Sequence, residues 1–177
     1  PVTQAMRRSN TRAGLDVLTH HIRVKPSTCF FGGKSFMLGG STALTEEAHG
    51  IFSGDLSGIA AKTLPRWAAP YAFPPGDLAL LSDWEEKVAR LAALSLDQDI
   101  RVLTGTPSWV LILLERVRAL RDARGEAALY PTLDLFIHGG VNFAPYRQRF
   151  LDFFAGQTID FREVYPASEG FIAAADR

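Results

Sequence analysis

The second half of the chain alternates three short apolar segments with two helical ones. Residues 100–103, 133–137 and 159–164 are the apolar segments, and each has the length of a buried strand. Between them, residues 106–125 and 143–156 carry helix signals and end at a glycine. Strands joined through a helix of this length pair in parallel. The order therefore predicts a βαβαβ unit and an α/β fold, with a parallel sheet flanked by helices.

The first of these helices has the clearest boundaries. Thr106 precedes Pro107, whose missing N–H costs nothing at the first helical position. The run from Trp109 to Leu114 is apolar on every side, which predicts deep burial. An earlier helix is predicted to begin at a capping box, because Ser82 and Glu85 have the required spacing.

The first half of the chain is less regular. Residues 3–22 have an apolar side and an arginine-rich side, which predicts a helix. The pair at its end, His20 and His21, is interpreted as solvated, because adjacent helical side chains point about 100° apart and cannot easily hold one metal. Residues 30–41 predict a short strand between two glycine pairs, without the G-x-x-x-x-G-K-[ST] spacing of a phosphate loop. Residues 42–75 are harder to interpret, although residues 56–64 predict a short helix that Pro65 ends, and the proline-rich residues 70–75 predict a loop.

Composition limits the possible functions. The chain has 177 residues, the length of one domain or of a piece of a larger one. Apolar residues make up 47% and charged residues 21%, which is enough for a core. The formal net charge of zero argues against a nucleic-acid binder, and no apolar run approaches the ~20 residues of a membrane span. The single cysteine, Cys29, excludes a disulfide framework, fits a cytoplasmic protein and is expected to be a small buried residue.

Unusual residues follow each of the three predicted strands. Thr104–Ser108 comes after the first, His138–Gly140 after the second, and Tyr165–Gly170 after the third, where a turn is expected. Ligands of open parallel sheets bind outside the carboxyl ends of the strands. These three segments are therefore expected to form one rim of a nucleotide site.

The residue types suit a nucleotide and its metal. Paired glycines let the backbone approach a flat base, and a tyrosine ring can stack on that base. A serine hydroxyl can bond a phosphate oxygen, and a carboxylate can hold Mg²⁺ together with substrate phosphates. Each feature alone also has a plain structural explanation, because double glycines usually form turns and an exposed tyrosine or glutamate usually belongs to the surface.

Four segments together resemble the auxin-responsive acyl-acid amido synthetases, and in particular their bacterial members. Tyr165–Gly170 resembles the Y-x-x-[ST]-E motif of the adenylate-forming superfamily, which includes that family. Residues 105–109, 139–147 and 169–173 make the similarity closer. It is close over residues 100–175 and looser before them. The resemblance implies that the chain is part of an adenylate-forming large domain.

The resemblance implies an ATP-dependent ligase with two half-reactions. A carboxylic acyl acid and ATP with Mg²⁺ give an acyl-adenylate and pyrophosphate, and the amine of an amino acid then attacks to form an amide. The residues implied to hold ATP, with the last one as the Mg²⁺ ligand, are Gly139, Gly140, Val141, Tyr165, Ser168 and Glu169. Those expected to line the acyl-acid pocket are Thr104, Thr106 and Trp109. No residue of the chain is assigned as a catalytic one.

The resemblance also implies parts of the enzyme outside these residues. The phosphate loop of the family is expected before Pro1, and its ribose-binding aspartate and small C-terminal domain after Arg177. The chain is therefore expected to be a partial adenylation domain that is inactive alone. Pro166 replaces the small residue that more often follows the motif tyrosine. Acyl-CoA ligase chemistry and a non-catalytic nucleotide-binding scaffold stay open as alternatives, and the acid, the amino acid and the oligomeric state do not follow from the sequence.

Overall fold

The computed structural model describes residues 3–40, 44–126, 128–167 and 170–175, apart from the side chain of Asp77. The helices within these residues are α1 Gln4–Val24, α2 Leu56–Lys62, α3 Gly76–Ala79, α4 Trp84–Ser95, α5 Pro107–Arg124 and α6 Ala144–Phe153. The strands are β1 Lys34–Leu38, β2 Leu44–Ala48, β3 Ile51–Gly54, β4 Ala72–Phe73, β5 Ile100–Gly105, β6 Leu135–His138, β7 Asp160–Ala167 and β8 Gly170–Ala174. None of these helices has the length and apolar character needed to cross a membrane.

Six of the strands form one sheet, in the order β4-β1-β5-β6-β7-β8. All neighbours in it pair in parallel except β8, which runs antiparallel against the end of β7. The predicted βαβαβ unit is β5-α5-β6-α6-β7, and its parallel pairing is confirmed. The predicted α/β class, with a parallel sheet flanked by helices, is confirmed as well.

The connections that follow β1 and β5 lead toward opposite edges of the sheet. From β1 the chain passes outward to β4, whereas from β5 it passes the other way to β6 and then to β7. The strand order therefore reverses between β1 and β5. Such a reversal opens a crevice at the carboxyl ends of the two strands, where open α/β sheets bind their ligands.

Helix α5 supplies the centre of the hydrophobic core and packs against α4. Val110, Leu113 and Leu114 are fully buried, as the apolar run predicts. Trp109 and Ile112 stay partly exposed, so the prediction of burial on every side is wrong for them. One side of the first turns of α5 therefore reaches the surface, with Trp109 beside Gly40 at the end of β1.

Two predicted boundaries are wrong. Helix α4 is capped by Asp83, whose carboxylate accepts a hydrogen bond of 2.7 Å from the backbone N–H of Glu86. The cap thus lies one residue after the predicted Ser82. The last strand does not end in a turn at Tyr165, because β7 continues to Ala167 and pairs with β8.

Two predictions of burial are also wrong. His21 was expected in solvent, but it is 0% exposed, because the last turns of α1 lie against the start of the sheet near Asp134. Cys29 was expected inside, but it is exposed. The neighbouring Phe30 takes the buried position instead.

The segment between β1 and α3 contains the predicted short helix, α2, and before it a small second sheet that was not predicted. Strands β2 and β3 form an antiparallel hairpin, with Gly50 at a φ of +76° in its turn. Helix α2 follows and is capped by Asp55, which accepts from the backbone N–H of Ser57 at 2.7 Å. The hairpin side chains are mostly exposed, which explains why hydrophobic periodicity did not reveal them.

Candidate functional site

The ladder between the central strands brings the predicted rim segments together at one edge. Gly105 of β5 is in register with His138 of β6, which is in register with Glu163 of β7. The chain leaves β5 and β6 at this level, and the pairing of β7 with β6 also ends there, although β7 itself continues to Ala167. Residues 104–106, 139–141 and 164–165 therefore lie side by side at the carboxyl edge of the sheet, as parallel strands require.

The glycine pair after β6 fits tightly between its neighbours. A Cβ atom on Gly139 would lie 2.2 Å from the carbonyl oxygen of Val164, so no larger residue fits beside β7. Gly140 has a φ of +84°, which glycine adopts without strain. A Cβ there would lie 3.4 Å from the hydroxyl of Thr106. The glycine pair therefore lets the backbone pass close to Val164 of β7 and to Thr106, which follows β5. The next residue, Val141, is exposed.

His138 lies directly before the glycine pair and is 3% exposed. Its ring stacks on Phe143 with the centroids 3.8 Å apart, and its Nδ1 has no hydrogen-bond partner among the residues that the structure describes. Burial, together with a smaller effect of the positive charge of Arg147, lowers the pKa of His138 to about 4. The imidazole is therefore neutral at pH 7 and serves as an aromatic support beneath the turn.

The predicted ATP residues on β7 divide into described and undescribed ones. Tyr165 is 59% exposed, and its backbone pairs with Ala173 of β8. This leaves most of the ring accessible to a stacking ligand. Ser168 and Glu169, predicted to contact the α-phosphate and Mg²⁺, lie outside the described residues.

The predicted acyl-acid residues follow β5 into α5. Thr104 is half-buried in the sheet, while Thr106 precedes α5 and makes no capping hydrogen bond with its side chain. Trp109 lies in the first turn of α5, with its ring 5.6 Å from that of Trp84. A Cβ on Gly40, just after β1, would lie 2.7 Å from the Trp109 ring. Gly40 thus belongs to this group, although the sequence suggested only a turn there.

A second polar cluster lies at the opposite, amino edge of the sheet. His21, Asp134 and Asp160 have ligand atoms within 4.8 Å of one another, the spacing of a metal site. However, the Lys25 ammonium forms ion pairs with both carboxylates, at 3.0 Å from Asp160. The buried Arg162 adds a second positive charge near His21. The two carboxylates are therefore already neutralised, and the cluster fixes α1 to the sheet as an ion-pair network.

The network also accounts for the protonation of its members. Burial lowers the pKa of His21 despite the attraction of Asp134, so the imidazole is neutral at pH 7. Burial raises the pKa of Asp134, but hydrogen bonds from Lys25 and Thr28 outweigh it, and the net shift is downward. Asp134 is thus a carboxylate held by a lysine and a hydroxyl.

Comparison with known protein families matches residues 4–159 to the GH3 family N-terminal domain. The chain belongs to this family. No curated protein and no solved structure gives a significant match. The GH3 family includes the auxin-responsive acyl-acid amido synthetases of the adenylate-forming superfamily, so the resemblance seen in the sequence is confirmed at the level of the family. The parallel sheet of this GH3 domain is consistent with an adenylate-forming domain.

Proposed function

We propose that this GH3 domain binds ATP at the carboxyl edge of β5, β6 and β7 and activates a carboxylic acid as its adenylate. The observation that carries the proposal is the glycine pair of β6. Gly139 approaches Val164 more closely than any side chain would permit, and Tyr165 follows immediately with an exposed ring. A flat base needs such a backbone surface and such an aromatic face.

Each residue at this edge has a role in the proposal. Gly139, Gly140 and Val141 lie along the adenine, and the ring of Tyr165 stacks on it. Trp109 lies against Gly40 at the crevice between β1 and β5, where the acid binds, and Thr106 lies between that crevice and Gly140. The amino end of the long helix α5 starts at the same edge, and its dipole favours the negative charge of a carboxylate or phosphate.

The proposed chemistry has two balanced steps. A carboxylate oxygen of the acid attacks the α-phosphorus of ATP, and the bond to pyrophosphate breaks. The amine of an amino acid then attacks the acyl carbon, loses a proton and releases AMP, so that an amide forms. Mg²⁺ neutralises the phosphate charge when bound, and Glu169 is the proposed ligand. Ser168 is proposed to contact the α-phosphate.

The domain is further proposed to act as part of a larger adenylating unit. Its sequence has no G-x-x-x-x-G-K-[ST] loop, and the residues proposed to hold ATP would contact its base, its α-phosphate and Mg²⁺ but leave the other two phosphates without partners from this chain. We expect the 177 residues alone to give no acyl-adenylate. Pyrophosphate exchange by this chain in isolation would contradict that expectation.

The function is tested by acid-dependent ATP–pyrophosphate exchange in the complete protein, with benzoate, phenylacetate, indole-3-acetate and hexanoate as probe acids. Exchange with at least one acid is expected, and Glu169→Ala should reduce it by at least tenfold, since one carboxylate of a magnesium site is lost. If the wild type gives no exchange, the domain is a non-catalytic scaffold. If Glu169→Ala exchanges normally, the magnesium assignment is wrong.

The second half-reaction needs a separate measurement. The pre-formed adenylate is offered an equimolar mixture of the twenty amino acids or coenzyme A, and the products are identified by mass spectrometry. An amide is expected. A thioester formed in place of the amide would show that the domain serves an acyl-CoA ligase.

A further inference from the structure

Lys87 is a charged residue buried completely in the core. It lies on α4 and is 1% exposed. Its ammonium donates to the backbone carbonyl of Gly40 at 2.8 Å and to that of Ala79 at 2.8 Å. One hydrogen bond therefore reaches the end of β1 and the other reaches the end of α3.

Burying an ammonium group raises the free energy of the folded chain. The hydrogen bonds to Gly40 and Ala79 offset this rise only while their carbonyl oxygens stay at hydrogen-bond distance from the Lys87 ammonium. An isolated charge in an apolar interior is unstable by several kcal/mol unless it is paired or hydrogen-bonded. Burial lowers the pKa of Lys87, and the negative charge of Asp55 opposes the shift. A leucine or methionine at that position would fill the core without the free-energy cost of burying a charge. The presence of a lysine therefore indicates that its ammonium holds the two carbonyl groups in place.

The carbonyl that Lys87 holds belongs to the wall of the crevice. Gly40 follows β1 at the point where the strand order reverses, and the ring of Trp109 lies directly against it. Trp109 in turn contacts Trp84, which is on the same helix as Lys87. The lysine thus holds the carbonyl of Gly40, while Trp109, backed by Trp84, packs against the same glycine.

We propose that Lys87 is a positioning residue for the acyl-acid side of the site. It holds the Gly40 turn against Trp109 and so fixes the width of the crevice between β1 and β5. The inference rests on the proposed function. In the sheet, β5 separates β1 from β6 and β7. The hydrogen bond from Lys87 to Gly40 lies at the β1 side of β5, whereas the surface proposed for adenine lies at the β6 side. A change at Lys87 is therefore expected to affect the acid more than ATP.

The test measures KM for the acid and for ATP separately in the complete protein, by pyrophosphate exchange with the best of the four probe acids. Lys87→Met removes the hydrogen bonds to the carbonyls of Gly40 and Ala79 and keeps an unbranched side chain that is only one atom shorter. It should raise KM for the acid about tenfold, because a wall of the acid site moves, and change KM for ATP by less than about twofold. The matched control is Val117→Ala, a fully buried position farther along α5. It should lower the melting temperature and change neither KM.

Lys87→Gln covers the case in which methionine prevents folding, because its amide still donates one hydrogen bond. It should give a smaller rise in KM for the acid, with KM for ATP again unchanged. Equal rises in both KM values, or no rise in KM for the acid, would show that Lys87 only stabilises the fold. A wild-type protein without exchange would overturn the proposed function itself, which is a different result from either.

Discussion

Substitution of Gly139 by alanine tests the packing at the carboxyl edge directly. The added Cβ would lie 2.2 Å from the carbonyl oxygen of Val164, whereas ordinary contacts begin at 3.4 Å. The missing space is thus about 1 Å. The oxygen belongs to the backbone and the position of the Cβ is fixed by the backbone of residue 139, and the adjacent ladder pairs His138 with Glu163, so neither strand can shift alone. Overpacking of this kind costs typically 1–3 kcal/mol, and we expect about 3 kcal/mol because backbone has to move.

Two further glycines give a graded comparison. Gly140→Ala meets only an ordinary contact at 3.4 Å, but it retains a φ of +84°, which costs an alanine about 1–2 kcal/mol. Gly14→Ala lies within α1 and meets nothing within 4 Å. It should stabilise the chain by about 0.5–1 kcal/mol, because alanine loses less backbone entropy in a helix.

The assay is urea unfolding of the three variants followed by circular dichroism at 222 nm, with the free energy of unfolding extrapolated to water. The predicted order of stability is Gly14→Ala, wild type, Gly140→Ala and then Gly139→Ala. If Gly139→Ala is as stable as the wild type, the close approach of β6 and β7 is incorrect. The proposed surface for the base would then lose its structural basis.

Two other predictions concern titratable groups. Burial lowers the pKa of His138 to about 4, so this histidine binds a proton at a higher pH in the unfolded chain, where its pKa is about 6.5, than in the folded one. The free energy of unfolding should therefore fall between pH 7 and pH 4. His138→Gln should reduce that fall by about 3 kcal/mol, as measured by urea unfolding at each pH. An unchanged pH dependence would show that this histidine is solvated. Lys25→Met should cost about 1–2 kcal/mol of unfolding free energy, because Asp134 loses its half-buried partner, whereas Arg90→Met, at an exposed helical pair, should cost less than about 0.5 kcal/mol. Equal effects of the two would contradict the tethering role of the network.

The sequence predicted the βαβαβ unit because its signals are local. Pro107 at the start of α5 and Gly125 at its end, with a φ of +71°, fix the helix by their own backbone preferences. The places of β1 and β4 in the sheet are different. They depend on pairing between distant segments, such as Phe36 with Phe73 and with Leu103, which periodicity along one strand does not encode.

The errors at β7 and in the core have physical reasons. A turn was predicted at residues 165–170, which include Pro166. Pairing of β7 with β6 extends only to Glu163, so the proline removes no hydrogen bond from that ladder and the strand can continue through it. The register also shifts beside it, as at a bulge. His21 and Lys87 were missed because the burial of a polar side chain is decided by its tertiary partners. A buried lysine on an amphipathic helix cannot be distinguished in the sequence from a lysine that is exposed to solvent.

The candidate site was predictable in part for the same reasons. The glycine pair after β6 and the exposed Tyr165 could be found, because their chemistry is unusual at a strand end. The contribution of Gly40 could not, because it depends on the contact with Trp109 across the crevice. Single residues at the carboxyl edge thus follow from the sequence, whereas the wall between β1 and β5 follows only from the fold.

The central claim is that ATP binds with its base on Tyr165, and the most direct test is the affinity of the complete protein for ATP with Mg²⁺, measured by isothermal titration calorimetry. Stacking of a base on an aromatic ring is worth about 1–3 kcal/mol, so Tyr165→Ala should weaken binding by roughly 5- to 150-fold. The matched control is Tyr71→Ala, another exposed tyrosine, which precedes β4 at the far edge of the sheet and should bind ATP like the wild type. Unchanged affinity for Tyr165→Ala, or equal loss in both variants, would contradict the assignment of the carboxyl edge of β6 and β7 as the nucleotide site.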